Sequence, residues 1–277
     1  MLKQRVITAI CGLILVIIVN WFGPPLFSFY IAGITLFSTF EFYKLENSFN
    51  RHYLLLYMGL IFSLLLVLGP HYSSAVIFPV CVIVILIVSL LFLFRYQSSN
   101  ENVFSSWTWM VAGGIYIGWM LSYWISLRLL GNGRAWVYLS MSIIFASDTG
   151  AYFIGRKWGI NKMAATISPQ KTWEGALGGI LSAIAASIII FIILGNIDPL
   201  PLSYLQLITF AILVSLFAQF GDLVESVLKR SVGVKQSGRF LPGHGGFLDR
   251  FDSHIFVGVM AYYYVLSINA GWPNCFW

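Results

Sequence analysis

Charge is what this sequence has least of: 9% of its 277 residues are Asp, Glu, Lys or Arg, against roughly a quarter in soluble domains. Apolar residues make up 59%, more than a water-soluble domain of this size could cover. A soluble enzyme and a disordered chain are therefore both excluded. Cysteine is scarce too. Cys11, Cys81 and Cys275 are too few and too scattered for a disulfide framework or a zinc site, and the first two lie in apolar runs as ordinary core residues. No basic run interleaved with aromatics suggests a groove for nucleic acid. Internal repeats, low-complexity tracts and a separate soluble domain are absent as well, so residues 1–277 read as one integral membrane domain.

What is there is a succession of apolar stretches near the ~20 residues that cross a bilayer as a helix. They fall near 6–22, 25–43, 54–69, 75–94, 108–130, 136–155, 176–194, 204–223 and 254–270. The expected fold class is all-α, a polytopic membrane protein with about nine transmembrane helices and a cytoplasmic N-terminus. Lys3 and Arg5 before an apolar run resemble a secretory signal. Trp21, Pro24 and Pro25 replace any small-residue cleavage site, however, so the segment reads as a retained anchor. In this orientation 14 of the 16 basic residues fall in inner segments, and only Arg128 and Arg134 in outer ones, a strong positive-inside bias. Two inner segments, 156–175 and 224–253, are long and polar, which puts the working face on the cytoplasmic side. The net charge of +6 then points to an anionic lipid surface and a nucleotide triphosphate.

The densest constellation is Asp222, Glu225, Ser226 and Lys229, which a helix aligns on one face. A carboxylate at membrane depth is costly and usually marks a site. A plain Asp–Lys surface pair on a helix leaving the bilayer would not account for Asp222 so close to the apolar run. Next comes Leu241–Asp252. Gly243, Gly245 and Gly246 let backbone N–H groups approach phosphate oxygens. Asp249 and Asp252 supply hard oxygens of the kind Mg²⁺ takes, and Lys235, Arg239 and Arg250 can neutralise the remaining charge. A turn is the default for a glycine-rich loop, but this density of charge with His244 argues for a site. His244 has no second His or Cys at ligand spacing, so it is expected to contact phosphate or orient the loop.

A third group is Ser147-Asp148-Thr149-Gly150 with Arg156 and Lys157 beyond it. Asp148 is either a helix-end residue in a polar pocket or part of the site. In the fourth group, Ser168 followed by Pro169 reads as a helix N-cap with proline at the first position, and such a terminus beside Lys171 is also an anion site. His52, His71 and His254 read as incidental, and Glu41 as the interfacial partner of Lys44.

From Ser226 to Asp252 the sequence resembles the signature of the phosphatidate cytidylyltransferases (CDP-diacylglycerol synthases). That pattern runs Ser-x-apolar-Lys-Arg, four residues, Lys-Asp-x-small, then Pro-x-His-Gly-Gly-apolar-x-Asp-Arg-apolar-Asp. Ser226, Lys229, Arg230, Lys235, Ser237, Gly238, Pro242, His244, Gly245, Gly246, Asp249, Arg250 and Asp252 carry it here. One position departs: Gln236 stands where the pattern has Asp, and an amide offers a cation no charge. Residues 147–153 and 168–175 resemble the family's other inner-face segments.

The resemblance implies that CTP and phosphatidate become CDP-diacylglycerol and pyrophosphate, with one or two Mg²⁺ ions. It implies a catalytic group of Asp222, Lys229, Arg230, Lys235, His244, Asp249 and Arg250. Substrate binding falls to Asp148, Arg156, Ser168, Lys171, Ser226, Arg239, Gly245 and Gly246. Asp222 and Asp249 are the expected main metal ligands, with Asp252 and Glu225 for a second ion or behind the first. The expected setting is a bacterial inner membrane with the site facing the cytoplasm, and the one further partner left open is a second copy of the chain. A related transferase acting on another lipid phosphate, a slower divergent paralogue and, more remotely, a transporter are the rival readings; in a transporter, carboxylates would sit at mid-bilayer rather than at the inner surface.

Overall fold

The computed structural model describes residues 2–46, 53–96, 103–238, 240 and 245–271. Among them the chain is almost wholly helical, as a bilayer requires, since a helix satisfies its backbone polar groups within the segment. The helices are α1 (Leu2–Phe22), α2 (Pro24–Lys44), α3 (Tyr53–Val67), α4 (Ser74–Tyr96), α5 (Val103–Gly113), α6 (Met120–Leu129), α7 (Gly133–Trp158), α8 (Trp173–Gly195), α9 (Tyr204–Ser231) and α10 (Leu248–Asn269). A π-helical turn, Gly114–Trp119, joins α5 to α6.

Among the described residues six helices are long and apolar enough to cross a membrane: Pro24–Lys44, Phe104–Leu129, Gly133–Trp158, Trp173–Gly195, Tyr204–Ser231 and Leu248–Asn269. The other three expected spans coincide with shorter apolar helices, Gly12–Phe22, Tyr53–Val67 and Pro79–Leu90, among the described residues. The outward faces of α1 and α2 carry bare aromatics such as Phe22 and Phe29, 72% and 75% exposed. Apolar surface of that extent is at home in lipid and a hazard in water.

The expected inner segments are shorter than the polar sequence suggests, because the helices run on into it. α9 continues to Ser231 and α10 starts at Leu248, leaving 232–247 as the connection. Between α7 and α8 the chain forms a small antiparallel hairpin of β1 (Lys162–Ala164) and β2 (Ser168–Thr172). Ser168 therefore lies in a strand and is not the cap expected of it. The cap of α8 is Thr172, whose hydroxyl accepts from the Gly175 N–H at 3.2 Å. Pro169 is accommodated in β2, since a two-stranded hairpin asks few of its N–H groups to donate.

Small residues set the helix spacing, as is usual where lipid offers no hydrophobic drive between helices. On α7 and α8, a Cβ at Gly178 would fall 2.5 Å from Ile154 Cδ1 and 2.6 Å from its Cβ. A Cβ at Gly150 would collide with Ser182. Gly33, on α2, has nothing within 4 Å of such an atom. Gly178→Ala is therefore expected to lower the unfolding temperature by an amount equivalent to about 1–3 kcal/mol of overpacking, while Gly33→Ala leaves it unchanged. A thermal melt of both variants in one detergent checks this, and equal melting temperatures would refute it.

The opposite end of the bundle is closed by polar clasps. Arg134 pairs with Asp198 at 3.1 Å and lies over the Trp21 ring, and Arg128 donates to the Asn20 carbonyl at 3.1 Å. The two basic residues assigned to outer segments are thus spent on structure.

Candidate active site

Four helices and the hairpin enclose a cavity of about 420 Å³ at the other end of the bundle. α7 gives it Asp148, Ala151 and Tyr152; the hairpin gives Met163, Ser168, Gln170, Lys171 and Thr172. α8 adds Gly175 and Ala176, α9 adds Gln219 and Asp222, and α10 adds Asp249, Arg250, Asp252 and Ser253. The hairpin is held over the helix ends by two anchors. Glu174 accepts from the Ile160 and Asn161 N–H groups at 3.2 and 3.1 Å, and Arg230 donates to the Ile167 carbonyl at 3.2 Å.

The wall carries four carboxylates. Asp148 is close enough to Asp222 to repel it and is attracted to Lys171 and Arg250. Lys171 reaches across from β2 to Asp222 at 2.8 Å. Asp252 is buried, bonded to its neighbour Ser253 N–H at 2.6 Å, and feels both Asp222 and Asp148. Asp249 is the most tied of the four. One oxygen accepts from Lys229 at 2.7 Å and the other from Gly246 N–H at 2.8 Å, while Ser237 N–H lies 3.2–3.3 Å from both. This knot explains the glycine at 245. Its φ is +88, and a Cβ there would sit 2.9 Å from Asp249 Oδ2 and 3.2 Å from Gln236 Nε2. Gln236 and Asp249 thus border the same space in front of Gly245.

Of the residues expected at the site, the cavity brings together Asp148, Ser168, Lys171, Asp222, Asp249, Arg250 and Asp252. Glu225 and Lys229 stand one layer behind, with Lys229 between the fully buried Glu225 and Asp249. Lys229 thus pairs with these two and not with Asp222, its partner in a plain surface pair. Arg230 serves the hairpin, also donating to the Val234 carbonyl at 3.2 Å. Ser226, Lys235, Gly245 and Gly246 do not line the cavity, and Arg156 lies in a separate shallow recess with Phe153, Ile154, Lys157 and Trp158. Arg239 and His244 lie outside the described residues.

Two residues escaped the sequence reading. Gln219 lines the cavity one turn before Asp222 and donates to the Ala176 carbonyl at 3.2 Å. Glu41 does not pair with Lys44, whose ammonium lies 4.3 Å from the Phe40 ring centroid. Glu41 turns inward, 3% exposed, and accepts from Ser237 Oγ and from Leu248 N–H, both at 3.0 Å. A carboxylate inside an apolar run was the available signal.

The donor set suits a hard divalent cation. Among the described residues every acidic side chain on the wall is an aspartate, and no His or Cys lines it. Among the described residues no three His, Cys, Asp or Glu groups form a ready-made ligand cage. Mg²⁺ does not need one, because it is commonly held by one or two carboxylates together with substrate phosphates and water.

A family profile described as the cytidylyltransferase family matches residues 3–268 of this chain. A Bacillus subtilis protein named phosphatidate cytidylyltransferase is 34% identical over 268 residues, covering 95% of this chain and 97% of that protein. One of the same name from Staphylococcus saprophyticus is 32% identical over 262 residues, covering 92% and 96% respectively. An Arabidopsis thaliana protein named phosphatidate cytidylyltransferase 5, chloroplastic, is 37% identical over 193 residues, covering 61% of this chain and 47% of that one.

Proposed function

The chain belongs to the cytidylyltransferase family, and from that premise we propose that it is a phosphatidate cytidylyltransferase, an integral membrane enzyme that transfers CMP from CTP to phosphatidate. The observation that carries the reading is a cavity at the helix ends that combines four aspartates with Lys171 and Arg250. Carboxylates for a divalent cation and cations for phosphate oxygens are the two needs of nucleotidyl transfer.

A phosphate oxygen of phosphatidate forms a bond to the α-phosphorus of CTP as the α–β bridging bond breaks. Pyrophosphate leaves, and CDP-diacylglycerol remains. The attacking oxygen belongs to a phosphomonoester with a second pKa of about 6, so it is already largely anionic and no strong base is required. The barrier is the approach of one polyanion to another, which positioned cations and donors lower. We assign Lys171 and Arg250 to phosphate oxygens, and Ser168 and the hairpin to the lipid phosphate or the cytosine. Lys229 fixes Asp249 from behind. Asp222 and Asp249, with Asp252 and Asp148 beside them, would hold Mg²⁺. When bound, the ion would neutralise phosphate charge at the attacking and leaving oxygens.

The same reading places the protein in a bacterial inner membrane with the cavity opening to the cytoplasm. What supports this is the distribution of basic residues: Arg156, Lys157, Lys171, Lys229, Arg230 and Arg250 gather at the cavity end, against Arg128 and Arg134 at the other. The test uses sealed right-side-out vesicles with phosphatidate, Mg²⁺ and labelled CTP. Labelled lipid should form only after permeabilisation. Its formation in sealed vesicles would reverse the orientation, and its absence in opened ones would refute the activity.

A further inference from the structure

We propose that Glu41, on α2, is a positioning residue for nucleotidyl transfer. It holds the start of α10 in the register that turns Asp249 and Arg250 toward the cavity. The inference rests on the reading of that cavity as a cytidylyltransferase site.

α10 begins at Leu248 after Phe247, which makes no side-chain capping bond. The first N–H groups of a helix need acceptors from elsewhere. Glu41 Oε2 supplies one to Leu248 N–H at 3.0 Å across a sequence separation of 207 residues, and the same oxygen takes the Ser237 hydroxyl at 3.0 Å. A carboxylate is also well placed there by its charge, because a helix N-terminus is electropositive. One carboxylate thus ties Ser237, within the connection between α9 and α10, to the first residue of α10.

The connection is moulded to that carboxylate. A Cβ at Gly246 would fall 2.5 Å from Glu41 Oε2. A Cβ at Gly238 would run into Glu41 Oε1, with Cδ at 2.6 Å and Cγ at 3.1 Å, so that its three nearest atoms all belong to Glu41. Rings on α2 add a second hold: Phe37 lies 5.3 Å from both Phe240 and Phe247. The Asp249 knot, built on Ser237 and Gly246 backbone, therefore hangs on the Glu41 peg. A carboxylate buried this deeply in an apolar helix is costly to keep, and Oε1 has no hydrogen-bond partner among the described residues. Its return is the geometry it imposes next door.

The test compares native protein, Glu41→Gln, Glu41→Ala, Gly238→Ala and the Glu41→Ala/Gly238→Ala double variant, each in phosphatidate vesicles with CTP and Mg²⁺. Glu41→Ala should lower kcat on the order of 10²-fold, the usual effect of displacing reacting groups by about 1 Å, with KM for CTP little changed. Glu41→Gln should keep most of kcat, since its amide oxygen can serve both donors. Gly238→Ala should be impaired by pushing Glu41 aside, and should cost nothing further once Glu41 is alanine. Native kcat in Glu41→Ala would overturn the proposal, even with faster amide exchange at residues 245–250, for that would be a structural cap alone. A Gln variant as slow as the Ala variant, or losses that multiply in the double variant, would overturn it as well. Should Glu41→Ala fail to accumulate, Glu41→Asp withdraws the carboxylate by one methylene and should lower kcat; native kcat there is equally fatal. Failure of the native protein to make CDP-diacylglycerol would instead remove the functional reading itself.

Discussion

Lys229→Met should unfold this protein more readily than any other single change near the cavity. The ammonium sits between Asp249 at 2.7 Å and Glu225, whose side chain is 0% exposed. Removing it leaves two carboxylates facing each other away from water. Losing one partner of a buried pair costs about 3–5 kcal/mol, mostly from the charge left behind. Replacing the pair together is far milder, so Glu225→Met/Lys229→Met should recover most of the lost melting temperature. Activity should not recover, because Asp249 loses the cation that fixes it. Melting temperature and turnover measured on the two variants separate these effects. A single variant as stable as native protein would show that Lys229 is not the keystone of this cluster.

Asp222→Asn is expected to behave in the opposite way, abolishing turnover at ordinary Mg²⁺ while leaving stability intact. The Asp222 side chain is 41% accessible, and although the Lys171 ammonium it faces is buried, the Asn oxygen keeps an acceptor there, so the cost should stay near the roughly 0–1 kcal/mol of partly exposed pairs. The substitution keeps the volume and removes the charge. In the free protein Lys171 and Asp222 satisfy each other; with substrate present, each has another use, Lys171 on phosphate and Asp222 on Mg²⁺. The loss should therefore reach 10²–10³-fold, the scale seen when one electrostatic group at a reacting centre is removed, and excess Mg²⁺ should restore part of it. Near-native turnover at low Mg²⁺ would remove Asp222 from the ligand set and leave it a surface pair.

The contrast between these two residues was only half legible in the sequence. Asp222 stood out because a carboxylate beside an apolar run has few explanations. Lys229 lay one helical turn from Glu225, and that spacing was visible, yet its tie to Asp249 crosses from α9 to α10. Glu41 reads as the interfacial i+3 partner of Lys44, and Gln219, an uncharged amide within an apolar run, gives no signal of its own. The cap of α8 was misplaced by four residues, since Ser168-Pro169 satisfies the local rule for a helix start equally well. Only the pairing of Lys162 with Thr172 and Ala164 with Ser168 makes that stretch a hairpin.

The sequence by itself determined the solvent, the helical class, the approximate positions of the apolar spans and the grouping of most candidate site residues. Hydropathy decides the first three, because lipid penalises every unpaired backbone group and leaves the helix as the answer to each long apolar run. The fourth was readable because the signature packs its aspartates, glycines and cations into one short stretch. Tertiary structure decided which of those groups meet. Four helix ends had to converge before Asp148, Lys171, Asp222 and Asp252 shared a cavity, and α2 had to lie against α10 before Glu41 met Leu248. Contacts across such separations are fixed by close packing between helix faces, through glycines such as Gly150 and Gly178, and no local pattern in the chain encodes which faces those will be.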